Sequence, residues 1–187
     1  YRILQDIFSW EYKINLALWW DTLGYYIYNL DRFSYCISVD IVRKLYDELL
    51  FQEYLESIFT RYTKIVAVSK VWNIIFFTLQ YWDSETNIII EIQLNIWTEN
   101  QYEIVNFYGL ELLAQDKSTL FANTLVDLTF KKILSGRDIY DTYFYFLHKF
   151  PINHILIQER TKKNLREYLV YLLDFLDKKI NPETLLF

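Results

Sequence analysis

The chain has 187 residues, a mass of 23.0 kDa, and 19 basic against 24 acidic side chains, for a formal net charge of −5. That length suits one domain, or a small α/β domain followed by a helical one, and can bury a substantial core. The acidic balance argues against a broad electrostatic surface for nucleic acid, with no DNA partner expected, and Cys36, the only cysteine, excludes an intramolecular disulfide framework.

Read in chain order, residues 3–15 place Ile3, Leu4, Ile7, Phe8 and Trp10 at near-helical spacing. Residues 16–20 form a short apolar run suited to a buried strand, and Asp21 or Thr22 is placed to cap a helix running to Leu30. Residues 34–42 alternate as a strand, and 43–62 supply a long helical pattern through Leu45, Leu49, Tyr54, Leu55 and Ile58. Residues 64–69, 71–80 and 87–96 are rich in β-branched and aromatic side chains, with a turn at 83–87 and an edge strand at 102–107. After Gly109 the pattern predicts helices at 110–116, 118–134, 138–148 and, in one or two pieces, 153–178, punctuated by Gly136 and Pro151. The expected organisation is an α/β domain over 1–108 followed by a helical domain over 109–187.

The apolar stretches at 71–81 and 87–96 are interrupted and short of the ~20 residues of a membrane-spanning helix. The opening Tyr1-Arg2-Ile3-Leu4-Gln5-Asp6 lacks the pattern of a secretory signal, so no membrane and a cytoplasmic location are expected. His148 and His154 have no Cys or His partner at ligand spacing, which argues against zinc. No glycine pattern of a Walker, dinucleotide-binding or nucleophile-elbow type occurs. The basic groups Lys131, Lys132, Arg137 and Arg160, Lys162, Lys163, Arg166 read as solvated faces or local patches. Glycine is scarce: 3 residues, where ordinary usage near ~7% would give about 13.

Leu16-Ala17-Leu18-Trp19-Trp20-Asp21-Thr22, then Arg32-Phe33-Ser34-Tyr35-Cys36-Ile37-Ser38, follow a strand, Gly-Gly-Thr, helix, R-F-S-x-D-h-D order. Leu120 to Leu128 and Gly136-Arg137-Asp138-Ile139-Tyr140-Asp141 follow A-x-K-L-x-A-L and G-R-D-x-Y-D. On these segments the chain resembles the AbiEii/AbiGii-type nucleotidyltransferase toxins over roughly residues 16–153. The resemblance implies a nucleotidyltransferase-like mixed sheet with flanking helices and a C-terminal helical bundle. It also implies Mg²⁺, an NTP, an RNA acceptor such as tRNA, and a cognate antitoxin.

Several motif positions depart from that pattern. Trp20 and Asp21 stand for the two glycines, Cys36 and Ser38 for the two aspartates, and Thr124 for the lysine. By resemblance, Thr22, Arg32, Ser34, Arg137 and Asp141 would contact nucleotide, and Asp138 would join the catalytic carboxylates. Divalent metal in such chemistry wants hard oxygen ligands. Asp40 lies on the strand face of Cys36 and Ser38, so with Glu91 on a neighbouring strand it is the candidate for a shifted metal site. A second reading accompanies each residue. Asp40 would end its strand in solvent, Asp21 would cap a helix, and Arg137 with Asp138 would form a helix cap and ion pair. Glu91, inside an apolar strand, must be paired or face a cleft. Two functions follow: nucleotidyl transfer to RNA, or a non-catalytic relative that binds protein or RNA.

Overall fold

Ile3, Leu4, Ile7 and Phe8 recur at helical spacing, and in the computed structural model they form the buried stripe of α1 (Arg2–Ser9). The structure describes residues 1–9, 15–32, 34, 36–42, 48–82, 85–94 and 97–180. The expected extensions of elements into 10–14, 43–47 and 95–96, and the start of the 83–87 turn, lie outside these residues.

β1 (Leu16–Leu18) is fully buried, as its apolar run requires, and leads into α2 (Trp20–Tyr26) and β2 (Cys36–Ile41). α3 (Glu48–Phe59) buries Phe51, Leu55, Ile58 and Phe59 before β3 (Thr63–Val71), β4 (Ile74–Tyr81) and β5 (Asn87–Leu94). β6 (Tyr102–Phe107) and β7 (Leu110–Gln115) complete the strands. α4 (Lys117–Phe130), α5 (Gly136–Leu147), α6 (His154–Thr161) and α7 (Leu165–Lys179) follow.

The strands form one seven-stranded sheet in the order β3-β4-β5-β2-β1-β7-β6. β2 pairs parallel with β5 and β1 parallel with β7, whereas β1/β2, β3/β4 and β4/β5 are antiparallel. The mixed α/β class expected from the sequence is therefore the class observed. Register places Ile75, Phe77, Leu79, Ile90, Ile92, Val39 and Ile41 on one face, and all seven are buried. α3 covers part of that face, with Phe59 edge-to-face on Phe77 at 5.0 Å. The opposite face of the same strands carries the polar residues considered below.

Two local expectations change. Residues 110–115 are a strand, not a helix, and Asp116 caps α4. Tyr108 (φ 50) and Gly109 (φ 86) take left-handed backbone consecutively, which turns β6 tightly back into β7. The run Leu110 to Ala114 carries its own alternation, Glu111 outward and Leu112 inward, beneath a helix-like composition. Second, Trp20 belongs to α2 rather than to a strand, and the cap position is Trp19, which makes no side-chain cap. Asp21 therefore falls in the first turn, and its side chain is outside what is described. Of the two arrangements expected for 153–178, the structure has the divided one: Lys162 (φ 61) ends α6 left-handed, and Asn153 and Asn164 cap the two helices.

Cα packing separates two compact units, residues 1–96 with 102–114, and residues 97–101 with 115–187. β7 thus goes with the first unit through Ala114. No described helix is long and apolar enough to cross a membrane.

Candidate functional site

Cys36, Ser38 and Asp40 alternate along β2 and share the sheet face opposite the α3 core. Register across the neighbouring strands arranges this face in rows. Phe76 pairs with Glu91 and Glu91 with Ser38, while the Trp19 amide donates to the Ser38 carbonyl at 3.2 Å. One row therefore reads Phe76, Glu91, Ser38, Trp19, over three strand spacings or about 14 Å. The next reads Ile74, Gln93, Asp40, Ala17.

Thr22 and Ser34 hold the start of β2 in place. Thr22 Oγ1 donates to the Cys36 carbonyl at 3.1 Å and accepts from the Ser38 amide at 2.7 Å. Ser34 Oγ donates to the same Cys36 carbonyl at 3.1 Å. Both side chains are buried, so two residues expected on a nucleotide are engaged with backbone. Arg32 lies half-buried just upstream, and Phe33 is outside the described residues.

At the centre, Cys36 Sγ lies 3.6 Å from Ser38 Oγ and donates to Glu91 Oε2 at 3.7 Å. Burial pushes the Cys36 thiol up to about 12; the Ser38 contact opposes this and the Glu91 charge adds to it. The thiol is thus protonated at neutral pH. Asp40 is 1% exposed and accepts from Tyr102 Oη at 3.2 Å, which corrects the expectation of a solvated strand end. Glu91 is also buried, facing the polar side while Ile90 and Ile92 face the core.

These donors do not fit Mg²⁺. A protonated thiol and a neutral hydroxyl occupy the two positions beside Glu91, and Asp40 is displaced one row along against Tyr102. Among the described residues, no group of three or more His, Cys, Asp or Glu is arranged to hold a metal ion.

In the second unit, the segment expected to touch nucleotide builds a helix start. Ser135 caps α5, its Oγ accepting from the Asp138 amide. Asp138 Oδ2 in return accepts from Ser135 N at 2.9 Å and Oγ at 2.8 Å, while Oδ1 is ion-paired with Lys131. Burial works against the charged form of Asp138, but the Lys131 and Ser135 hydrogen bonds outweigh it and hold the carboxyl below the usual range. Arg137 sits half-buried in the same turn, and Asp141 is buried one turn on. Thr124, at the motif-lysine position, is buried with its hydroxyl donating to the Leu120 carbonyl at 2.9 Å.

The structure thus brings Cys36, Ser38 and Glu91 together, with Asp40 adjacent, and gathers Arg137, Asp138 and Asp141 on α5. Tyr102, Phe76, Trp19 and Gln93 were not singled out from the sequence. Period-two spacing from Glu91 marks Gln93, but pairing across strands alone reveals the other three.

No protein-family model matches the chain, and no curated protein matches it. Solved structures do. JHP933 from Helicobacter pylori is similar at TM-score 0.55 and 15% identity, covering 79% of this chain and 62% of its own. This chain therefore spans about three fifths of that protein's length. A candidate nucleotidyltransferase from H. pylori is similar at TM-score 0.57 and 13% identity, covering 96% of this chain and 94% of its own. An antigenic nucleotidyltransferase-like protein from Paracoccidioides brasiliensis is similar at TM-score 0.51 and 12% identity, over 88% and 80%. At such identities the likeness concerns the fold, which is nucleotidyltransferase-like.

Proposed function

We propose that this chain is a nucleotidyltransferase-fold protein of the AbiEii/AbiGii toxin kind that has given up metal-dependent transfer and serves as a binding module. The observation that carries this reading is the pair Cys36 and Ser38 beside Glu91. A buried thiol that stays protonated to about 12 and a neutral hydroxyl leave one carboxylate where metal-assisted transfer needs several. The segments resembling that family support the kinship, and Thr22 and Ser34 support a maintained frame, because both are spent on holding β2. A net charge of −5 favours a protein partner, such as a cognate antitoxin, over tRNA. A cytoplasmic location belongs to the same reading.

The direct test incubates the protein with labelled NTPs, Mg²⁺ and total tRNA. No incorporation is expected at high protein concentration. Incorporation that disappears in Asp40→Asn and Glu91→Gln would overturn the reading in favour of transfer by a shifted carboxylate pair. The companion variant Cys36→Asp/Ser38→Asp is expected to gain Mn²⁺ binding by calorimetry, because it supplies two hard ligands beside Glu91.

A further inference from the structure

β3 is the outermost strand of the sheet, paired on one side with β4 and, among the described residues, with no strand on the other. Backbone donors and acceptors along such an edge form a template for a further strand. From Val66 to Val71 every residue of β3 is exposed, and Val66, Val68 and Val71 are 50%, 40% and 51% exposed. A bulge between Ile65 and Ala67 leaves Ala67–Val71 as the regular run. The turn that follows adds Trp72, which is 93% exposed in left-handed backbone at φ 56. A bulky ring in a disfavoured backbone and given over to water weakens the free protein on both counts, as surfaces kept for a partner do.

Charge along this edge runs opposite to that of the chain. Residues 57–82 contain Arg61, Lys64 and Lys70 and no carboxylate, within a net charge of −5. Lys70 meets Glu48 at 3.0 Å, but both side chains are half exposed, so the ammonium stays within reach of a partner. A second copy is a poor occupant. Antiparallel self-pairing centred on Ala67 sets Lys64 against Lys70 of the other copy, and self-pairing centred on Ser69 sets the two Lys70 side chains diagonally on one face.

Resting on the reading of this chain as a module for a protein partner, we infer that the β3 edge from Lys64 to Trp72 is its docking surface, on which the partner lays an extended segment carrying carboxylates. Main-chain hydrogen bonds along Ala67–Val71 supply the pairing, and the exposed valines with Trp72 supply apolar contact. Lys64 and Lys70 select a segment with carboxylates over one with cations.

Two capped synthetic peptides test this, acetyl-Glu-Val-Thr-Val-Thr-Val-Glu-amide and the same sequence with Lys in place of Glu, by calorimetry and by hydrogen exchange of the protein's amides. The acidic peptide is expected to bind below about 1 mM, about tenfold more tightly than the lysine peptide. It is expected to slow exchange within residues 64–72. Lys64→Glu, at an exposed position, is expected to bring the two peptides within about twofold of each other. Trp72→Gly is expected to weaken the acidic peptide about fivefold while the melting temperature holds or rises, so that lost binding is not lost folding. The inference is overturned if neither peptide binds, if the lysine peptide binds as tightly as the acidic one, or if protection appears only outside residues 64–72. It is equally overturned if sedimentation shows a dimer that Trp72→Gly dissolves, because the edge then belongs to a second copy. Failure here leaves the loss of transfer standing, whereas label incorporated into RNA removes the proposed function itself.

Discussion

The β1–α2–β2 segment and the start of α5 both carry the resemblance to a nucleotidyltransferase family, and they keep it in opposite ways. Around β2, Trp20, Cys36 and Ser38 differ from the pattern the chain resembles, while Thr22 and Ser34, which match it, fasten backbone. At α5 nearly every motif letter persists, but Asp138 spends its carboxylate on the Ser135 cap and the Lys131 ion pair. Identity in a motif therefore follows what the local backbone needs as much as what the reaction needs. A retained Asp is weak support for catalysis when the same Asp closes a capping box.

The largest expected effect that sharpens this contrast is kinetic. Cys36 is the only cysteine, so a thiol reagent reads it alone. With the native thiol raised to about 12, alkylation of the folded protein at pH 8 should run about a thousandfold slower than in denaturant, where the thiol returns to ~8.5. The linkage has one sign: the native state holds this proton more tightly, so stability falls as pH rises from the unfolded value toward the folded one. Fast labelling of folded protein at pH 8 would show the site to be open and polar instead.

Next is the backbone clamp. Thr22→Val keeps the shape but strands the Ser38 amide and weakens the anchoring of the Cys36 carbonyl, at a cost of about 2 kcal/mol in urea unfolding. A loss under half that would mean that Thr22 is not what holds β2.

At α5, Asp138→Ala removes the reciprocal cap and the ion pair and is expected to cost about 1 to 2 kcal/mol. Because the native carboxyl is held below its usual range, its contribution is present above the unfolded value near pH 4 and is lost as pH falls through the lower folded value. The variant and parent should converge in acid. Parallel curves across pH would assign the loss to packing.

The smallest effect concerns backbone shape. Trp72 holds φ 56 in the β3–β4 turn with 93% of its surface exposed, so Trp72→Gly relieves left-handed strain and sacrifices no packing. After the greater unfolded entropy of glycine, a gain of about 0.5 to 1 kcal/mol is expected. Trp20, with φ 47 but a ring 5.4 Å from that of Trp19, should gain less or nothing. Equal gains at the two sites would argue that the Trp19–Trp20 contact contributes nothing.

Much of the fold was legible because strong periodicity reports burial directly. The β-branched run from Ile88 to Ile92 marks β5, and the helical pattern through Tyr54, Leu55 and Ile58 marks α3, although Leu49 of that pattern is exposed. Residues 110–116 were misjudged because Leu-Glu-Leu-Leu-Ala-Gln favours a helix locally, whereas two consecutive left-handed residues at 108 and 109 commit the chain to a hairpin. The left-handed Trp20 was equally hidden, since nothing in the sequence marks a tryptophan for a backbone shape that glycine prefers.

For the candidate site the division is sharper. From the amino-acid order alone come the shared face of Cys36, Ser38 and Asp40, and an acidic residue awkwardly set in an apolar strand. Only tertiary pairing decides the rest: that Glu91 stands beside Cys36 and Ser38, that Tyr102 reaches Asp40, and that Trp19 and Gln93 join the face from either side. The reason is physical. Period-two geometry fixes which way a side chain points within its own strand, while the neighbours that set its charge state come from strands up to about 60 residues distant and depend on sheet order and register.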